Sequence, residues 1–143
     1  MGLDSHMQYN PSIGMEMELS SNMIFATVKM LPGKEKHRDL LDILLSIKEP
    51  VQAEPGCISC CIYEEVSDDP CVFYVEQWQS LPELERHLKS INYSRVLEAM
   101  ELSTSVPEIS FYETAASWGL ELVEKVLAAE RNKDYMTRPR QVL

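Results

Sequence analysis

A chain of 143 residues with 45% hydrophobic content has the size of one domain, and at this length burial of roughly 68–70% of the unfolded surface makes a core without disulfides or a structural metal. Thirteen Lys and Arg against 23 Asp and Glu leave a net charge of −10, a surface that repels phosphate backbones and anionic headgroups and so excludes nucleic acid as an expected partner. No run approaches the roughly 18 apolar residues of a membrane span, and no secretory leader pattern opens the chain, so the expected setting is cytoplasmic, away from membranes.

Residues 1–21 are polar, rich in Met and Ser and without periodicity; they read as a flexible leader whose Gly-Leu-Asp-Ser-His-Met opening looks like a cloning remnant. A first strand is expected over Met23 to Met30, where Ile24, Ala26, Val28 and Met30 alternate onto one face before Leu31-Pro32-Gly33 ends it. From Lys34 to Lys48, Leu40, Leu41, Leu44, Leu45 and Ile47 recur at helical spacing opposite charged residues, which predicts an amphipathic helix kinked near Pro50 and stopped by Pro55-Gly56. Two β-rich runs, Cys57 to Val66 and Cys71 to Trp78, flank the turn composition Ser67-Asp68-Asp69-Pro70 and should pair as an antiparallel hairpin.

Ser80-Leu81-Pro82-Glu83 has a capping-box pattern, the Ser80 hydroxyl reaching the third amide and Glu83 reaching back. Leu81, Leu84 and Leu88 would mark the inner face of the helix it opens, and Val96, Leu97 and Met100 that of a second helix over Asn92 to Leu102. Pro107 then introduces a last strand, Glu108 to Glu113.

The order β-α-β-β-α-β is the split βαβ, ferredoxin-like arrangement of an α+β fold: four antiparallel strands with both helices on one face. The other face would be left bare with large apolar side chains on it, and a symmetric homodimer is the cheapest way to bury them. The ferredoxin-like domain is thus placed at 22–114. A helical extension follows at 115–143, in which Ser117 would cap a helix with the stripe Leu122, Val123, Val126 and Leu127, Arg131 and Lys133 near its negative end, and a frayed tail from Tyr135. That stripe is expected to dock on the dimer.

Three of the four cysteines crowd into Cys57-Ile58-Ser59-Cys60-Cys61, a C-x-x-C spacing that invites a zinc or redox reading. On a regular strand Cys57 and Cys60 would point to opposite faces, while Cys57 and Cys61 would share a face about 13 Å apart, too far for one ion. Structural thiols and no metal site are the expectation.

Several motifs now stand in order: a strand ending in Leu31-Pro32-Gly33-Lys34, then Glu54-Pro55-Gly56-Cys57, Asp69-Pro70, Glu76-x-Trp78-x-Ser80 and His87-x-x-Ser90. Over Met23 to Tyr112 the chain resembles the antibiotic biosynthesis monooxygenase family. The resemblance implies a dimeric α+β barrel of ferredoxin-like subunits. It spans quinol and aromatic polyketide oxygenases, haem-degrading oxygenases, an autoinducer-phosphate isomerase and members without an assigned activity.

By that resemblance Glu76, Trp78 and His87 line a cleft between sheet and helices. Tyr74 shares the strand face of Glu76 and Trp78, and His87 follows Leu84 by three positions, beside the inward stripe of its helix. A deprotonated phenol or hydroquinone can pass an electron to oxygen itself, so such an enzyme needs only a base, an anion stabiliser and a dry aromatic pocket. His87 suits the base, Trp78 and Tyr74 the stacking wall and oxyanion hydroxyl, with Glu76, Tyr63 and Tyr93 as further substrate-binding candidates. Read without the resemblance, His87, Trp78 and Tyr74 are core residues, Glu76 bonds a helix terminus or Arg95, and His37 is solvated.

No cofactor is expected. Haem members combine an Asn on the first strand, a Trp on the third and a His near the end of the next helical segment; Trp78 matches, but Met23 to Met30 has no Asn and Tyr93 to Met100 no His. The scattered glycines form no nucleotide cradle. The leading expectation is a cofactor-independent monooxygenase of a phenolic or quinol-like molecule. The alternatives are an inactive small-molecule-binding or stress-associated dimer, and an isomerase of a phosphorylated sugar-like ligand, which would need cations such as Lys29 and Arg95.

Overall fold

The computed structural model describes residues 22–137; the expected leader and the last six residues lie outside the described residues. Eight elements follow in order: β1 Ile24–Met30, α1 Gly33–Gln52, β2 Cys57–Glu64, β3 Val72–Trp78, α2 Leu81–Leu88, α3 Ile91–Met100, β4 Glu108–Glu113 and α4 Leu120–Thr137. The strands form one sheet in the order β2-β3-β1-β4, with every neighbouring pair antiparallel. This is the ferredoxin-like α+β fold, its second crossover divided between α2 and α3.

Alternation sets the layers. Ile24, Ala26, Val28 and Met30 of β1 and Val72, Tyr74, Glu76 and Trp78 of β3 are all buried under the helices, and Leu40, Leu44, Ile47 and Val51 of α1 close over them at spacings of four and three. The helix runs through Pro50 to Gln52. Leu84 and His87 are the buried residues of α2, and Val96, Ala99 and Met100 those of α3. Leu81 and Leu97, expected inside, are exposed: each stands at the margin of its helix stripe, where no neighbouring element covers it.

The opposite sheet face carries Phe25 and Thr27 of β1, Phe73 and Val75 of β3, Cys61 and Tyr63 of β2 and Tyr112 of β4, aligned across the ladder by Phe25↔Tyr112, Thr27↔Val75, Cys61↔Val75 and Tyr63↔Phe73. Phe25, Thr27, Cys61, Phe73 and Val75 are half-buried, and Tyr63 and Tyr112 are exposed. Lys29 also lies on this face, 5.7 Å above the Phe73 ring.

The strand geometry assumed for the cysteines is corrected by an irregularity in β2. Between Cys57 and Ser59 the register slips by one residue, so Cys57 opposes Trp78 and Cys60 opposes Glu76. Both partners face inward, and so Cys57 and Cys60 share the inner face while Cys61, opposite Val75, turns outward. All four thiols are free, and among the described residues no group of three or more His, Cys, Asp or Glu is placed to hold a metal ion.

Two caps also differ from expectation. The Ser80 hydroxyl bonds the Glu83 carboxylate at 3.1 Å, side chain to side chain, and makes no bond to a backbone amide of α2. The last helix opens at Leu120, three residues after Ser117, with Glu121 accepting from the Gly119 amide at 2.7 Å; that bond holds the Glu121 carboxyl below its ordinary range. Tyr135 is still helical and Arg131 and Lys133 precede the final turn. Leu122, Val123, Val126 and Leu127 remain exposed. No helix among the described residues is long and apolar enough to cross a membrane.

Candidate functional site

Under the helical layer, side chains from β2, β3, α2, α3 and one turn converge on two carboxylates. Tyr74, Glu76 and Trp78 stand two apart on β3, so all three side chains leave the same face. Glu76 is buried at the centre. The Tyr74 hydroxyl donates to its Oε2 at 2.5 Å, the Trp78 indole N–H to its Oε1 at 2.9 Å, and His87 Nε2 to Oε2 at 2.8 Å. Behind Tyr74, the Cys60 thiol donates to the phenolic oxygen at 3.4 Å. Such a concentration of donors is what makes a carboxylate tolerable in a core.

The other ring nitrogen of His87 meets a second acid. Nδ1 lies 3.0 and 2.9 Å from the two oxygens of Glu54, and Asn92 Nδ2 donates to Glu54 Oε2 at 2.7 Å. Glu54 sits in the turn between α1 and β2, fixed by Glu54 N–H to the Val51 carbonyl, Cys57 N–H to the Glu54 carbonyl and Gln79 N–H to the Gly56 carbonyl. The Arg86 guanidinium of α2 clasps the Pro55 carbonyl of the same turn. Gly56 takes φ +85°, a left-handed conformation that glycine adopts without steric cost and that turns the chain into β2.

The imidazole is held by faces as well as edges. Trp78 stacks on it with ring centroids 4.6 Å apart and planes 30° apart, and Tyr93 meets its edge at 5.5 Å. The ring is fully buried, with 0% of its side chain exposed, against 14% for Glu54. With both nitrogens aimed at carboxylate oxygens, the ring donates from both. Burial pulls its pKa down, but the hydrogen bond and charge of Glu76, and then those of Glu54, outweigh it and leave His87 above its ordinary value.

Neighbouring acids shift in the same sense. Burial, with Glu76 beside it, drives the Tyr74 phenol far above its usual range. Burial also pushes the Cys57 thiol up to about 11 and the Cys60 thiol to about 12, with Glu76 close to both. Tyr93 moves upward for the same two reasons. At neutral pH these groups keep their protons, Tyr74 donating to Glu76, Cys60 to the Tyr74 oxygen and Cys57 to the Ser59 carbonyl, and neither inward thiol is a nucleophile.

Of the residues singled out from the sequence, Tyr74, Glu76, Trp78, His87 and Tyr93 are brought together. Tyr63 is not: it opposes Phe73 on the outer sheet face and is 55% exposed. Arg95 pairs with Glu98 on the surface and Lys29 lies on the outer face, so neither cation reaches Glu76. His37 pairs with Glu64 at 2.5 Å beside a groove of about 280 Å³ lined by Gly33, Lys34, Asp69 and Pro70. Glu54 and Asn92 were not foreseen as site residues. The one signal for Glu54 was its place ahead of Pro55-Gly56, where a tight turn fixes a side chain.

A family model described as antibiotic biosynthesis monooxygenase matches residues 23–99. An uncharacterized protein of Synechocystis sp. is 23% identical over 107 residues, which span 74% of this chain and 73% of that protein. Among solved structures, a Mycobacterium tuberculosis protein superposes with a TM-score of 0.62 at 21% identity, covering 68% of this chain and 99% of the other. A Deinococcus radiodurans protein proposed to be an antibiotic biosynthesis monooxygenase gives 0.61 at 18% identity, with 67% and 96% covered. At these identities the structural likeness establishes the fold.

Proposed function

The chain belongs to the antibiotic biosynthesis monooxygenase family, and from that premise we propose that it is a cofactor-independent monooxygenase of a phenolic or quinol-like small molecule, acting in the cytoplasm as a homodimer. The observation that carries the reading is the buried Glu76 carboxylate with Tyr74, Trp78 and His87 all donating to it. An acid–base pair walled by an indole and two phenols is what oxygenation without a cofactor requires.

In balance, a phenol loses its O–H proton and the C–H opposite it. One atom of O2 becomes the second carbonyl of the quinone, the other leaves as water, and the substrate supplies all four electrons. The His87–Glu76 pair is the group that takes and returns protons, and Trp78 and Tyr93 hold its imidazole in place.

Homodimerisation is supported by the apolar outer sheet face, where Phe25, Phe73 and Val75 are half-buried and Tyr63 and Tyr112 exposed. An isomerase of a phosphorylated ligand is disfavoured at this cluster, because two carboxylates sit there and both candidate cations are directed elsewhere.

A second reading, a dimeric binding module without turnover, is favoured by the full burial of His87 and the engagement of both its nitrogens. Oxygen uptake with a panel of hydroquinones and fused-ring phenols separates the two. The enzyme reading expects uptake that His87→Gln lowers by about a hundredfold or more, with near-UV circular dichroism unchanged. Binding of a panel member without uptake transfers the assignment to the module, and uptake indifferent to His87→Gln removes His87 from the chemistry.

A further inference from the structure

Nε2 of His87 meets Glu76, and its other ring nitrogen is held as closely. Nδ1 is chelated by both oxygens of Glu54, and Glu54 is itself steadied by Asn92 in a turn fastened to α2 through Arg86 and Pro55. Glu76, His87, Trp78, Tyr74 and Cys60 are sealed from solvent, with relative exposures of 0–1%, whereas the Glu54 side chain is 14% exposed. The chain Glu76–His87–Glu54 therefore runs from the sealed interior to the one member that touches water, each link within 3.0 Å.

We propose that Glu54 is the solvent port of a proton relay, a positioning residue that fixes the Nδ1 proton of His87 and through which protons pass between bulk water and the Glu76 carboxylate. Only protons move: a proton reaching Glu54 from water takes the place of one that His87 hands from Nε2 to Glu76, and the ring recovers its own from Glu54. No bond between heavy atoms forms or breaks and nothing is oxidised.

The groups gathered around the His87–Glu76 pair from each packed element agree with this direction of travel. Glu76 and Tyr74 approach from β3, Cys57 and Cys60 from β2, Tyr93 and Asn92 from α3, and Glu54 from the preceding turn. The phenols and thiols among them hold their protons at neutral pH, which leaves the two carboxylates as the exchanging partners of the imidazole. The inference rests on His87–Glu76 being the acid–base pair of the site, but its test does not depend on turnover.

The full-length protein, labelled with 15N-histidine, is titrated by NMR. In the wild type the His87 ring is expected doubly protonated at pH 7, and Glu54→Gln is expected to lower its midpoint by about one unit or more and to slow exchange of its ring protons with water at least tenfold. Asn92→Ala, which keeps the carboxylate but frees it, should shift the midpoint less and in the same direction; it also serves if Glu54→Gln does not fold. Ring-proton exchange unchanged in both variants, or a neutral His87 ring in the wild type at pH 7, overturns the relay. Failure to consume oxygen with any substrate would count against the monooxygenase reading and leave this result standing.

Discussion

A side chain on Gly56 would overlap the carboxyl group of Glu83, and the Glu83 carboxyl is the partner of the Ser80 hydroxyl at 3.1 Å. The turn that carries Glu54 and the first turn of α2 thus meet where Gly56 lies against the flexible end of Glu83, which an alanine would displace. Gly56→Ala must in addition hold φ near +85°, which costs an alanine about 1 kcal/mol or more. The variant is expected to lose about that much unfolding free energy in a urea titration. Its His87 resonances should also move, because Glu54 lies two residues away.

Glu76 accepts from three buried donors, and an amide in its place would leave at least one of them facing a donor of its own. Each buried donor left unpaired costs about 1–3 kcal/mol, and breaking a buried charged pair about 3–5. Glu76→Gln is accordingly expected to lose about 3 kcal/mol or more of unfolding free energy, followed by Trp78 fluorescence in urea.

The folded state binds the His87 proton more tightly than the unfolded chain does, since its pKa lies above the ordinary 6.5. The stability this supplies is complete below that ordinary value and fades as pH rises through the native one. The difference in stability between wild type and His87→Gln should therefore be largest near pH 6 and shrink toward alkaline pH. A difference that grows with pH would contradict the doubly bonded ring.

With the Cys57 and Cys60 thiols held up to about 11 and 12, alkylation of the native protein at pH 7.5 should spare both. Mass spectrometry after brief iodoacetamide treatment is expected to find label on them only in urea. Early modification of Cys60 would show that the inner face opens.

Val75 stands at the middle of the outer sheet face, between Thr27 and Cys61. A lysine there would set a charge against its own copy across a two-fold axis. Sedimentation is expected to find a dimer for the wild type and a monomer for Val75→Lys, with circular dichroism unchanged.

How much of this could be read from the sequence follows from periodicity. The inward set of β1, the triplet Tyr74, Glu76 and Trp78, and the placement of His87 three residues after Leu84 all follow from repeats of two and of three to four, and the structure keeps them. Glu54 and Asn92 belong to no repeat: one is in a turn, the other at the head of a helix, and both matter through contacts with a residue far along or across the chain. Tyr63 was drawn to the site by its residue type, although its strand parity places it on the other face. The cysteine geometry failed for the complementary reason, since parity was trusted across a position where the strand gains a residue.

That added residue in β2 separates two alignments that a regular strand would force to agree. Downstream of it, Cys60 and Ile62 pair with Glu76 and Tyr74 of β3; upstream, Cys57 still opposes Trp78 while its amide is held by the Glu54 carbonyl of the turn. The slip works as an expansion joint. The helix can end where its own packing dictates, the hairpin can start where its loop dictates, and the acid at the end of the helix still meets the imidazole brought by a different part of the chain.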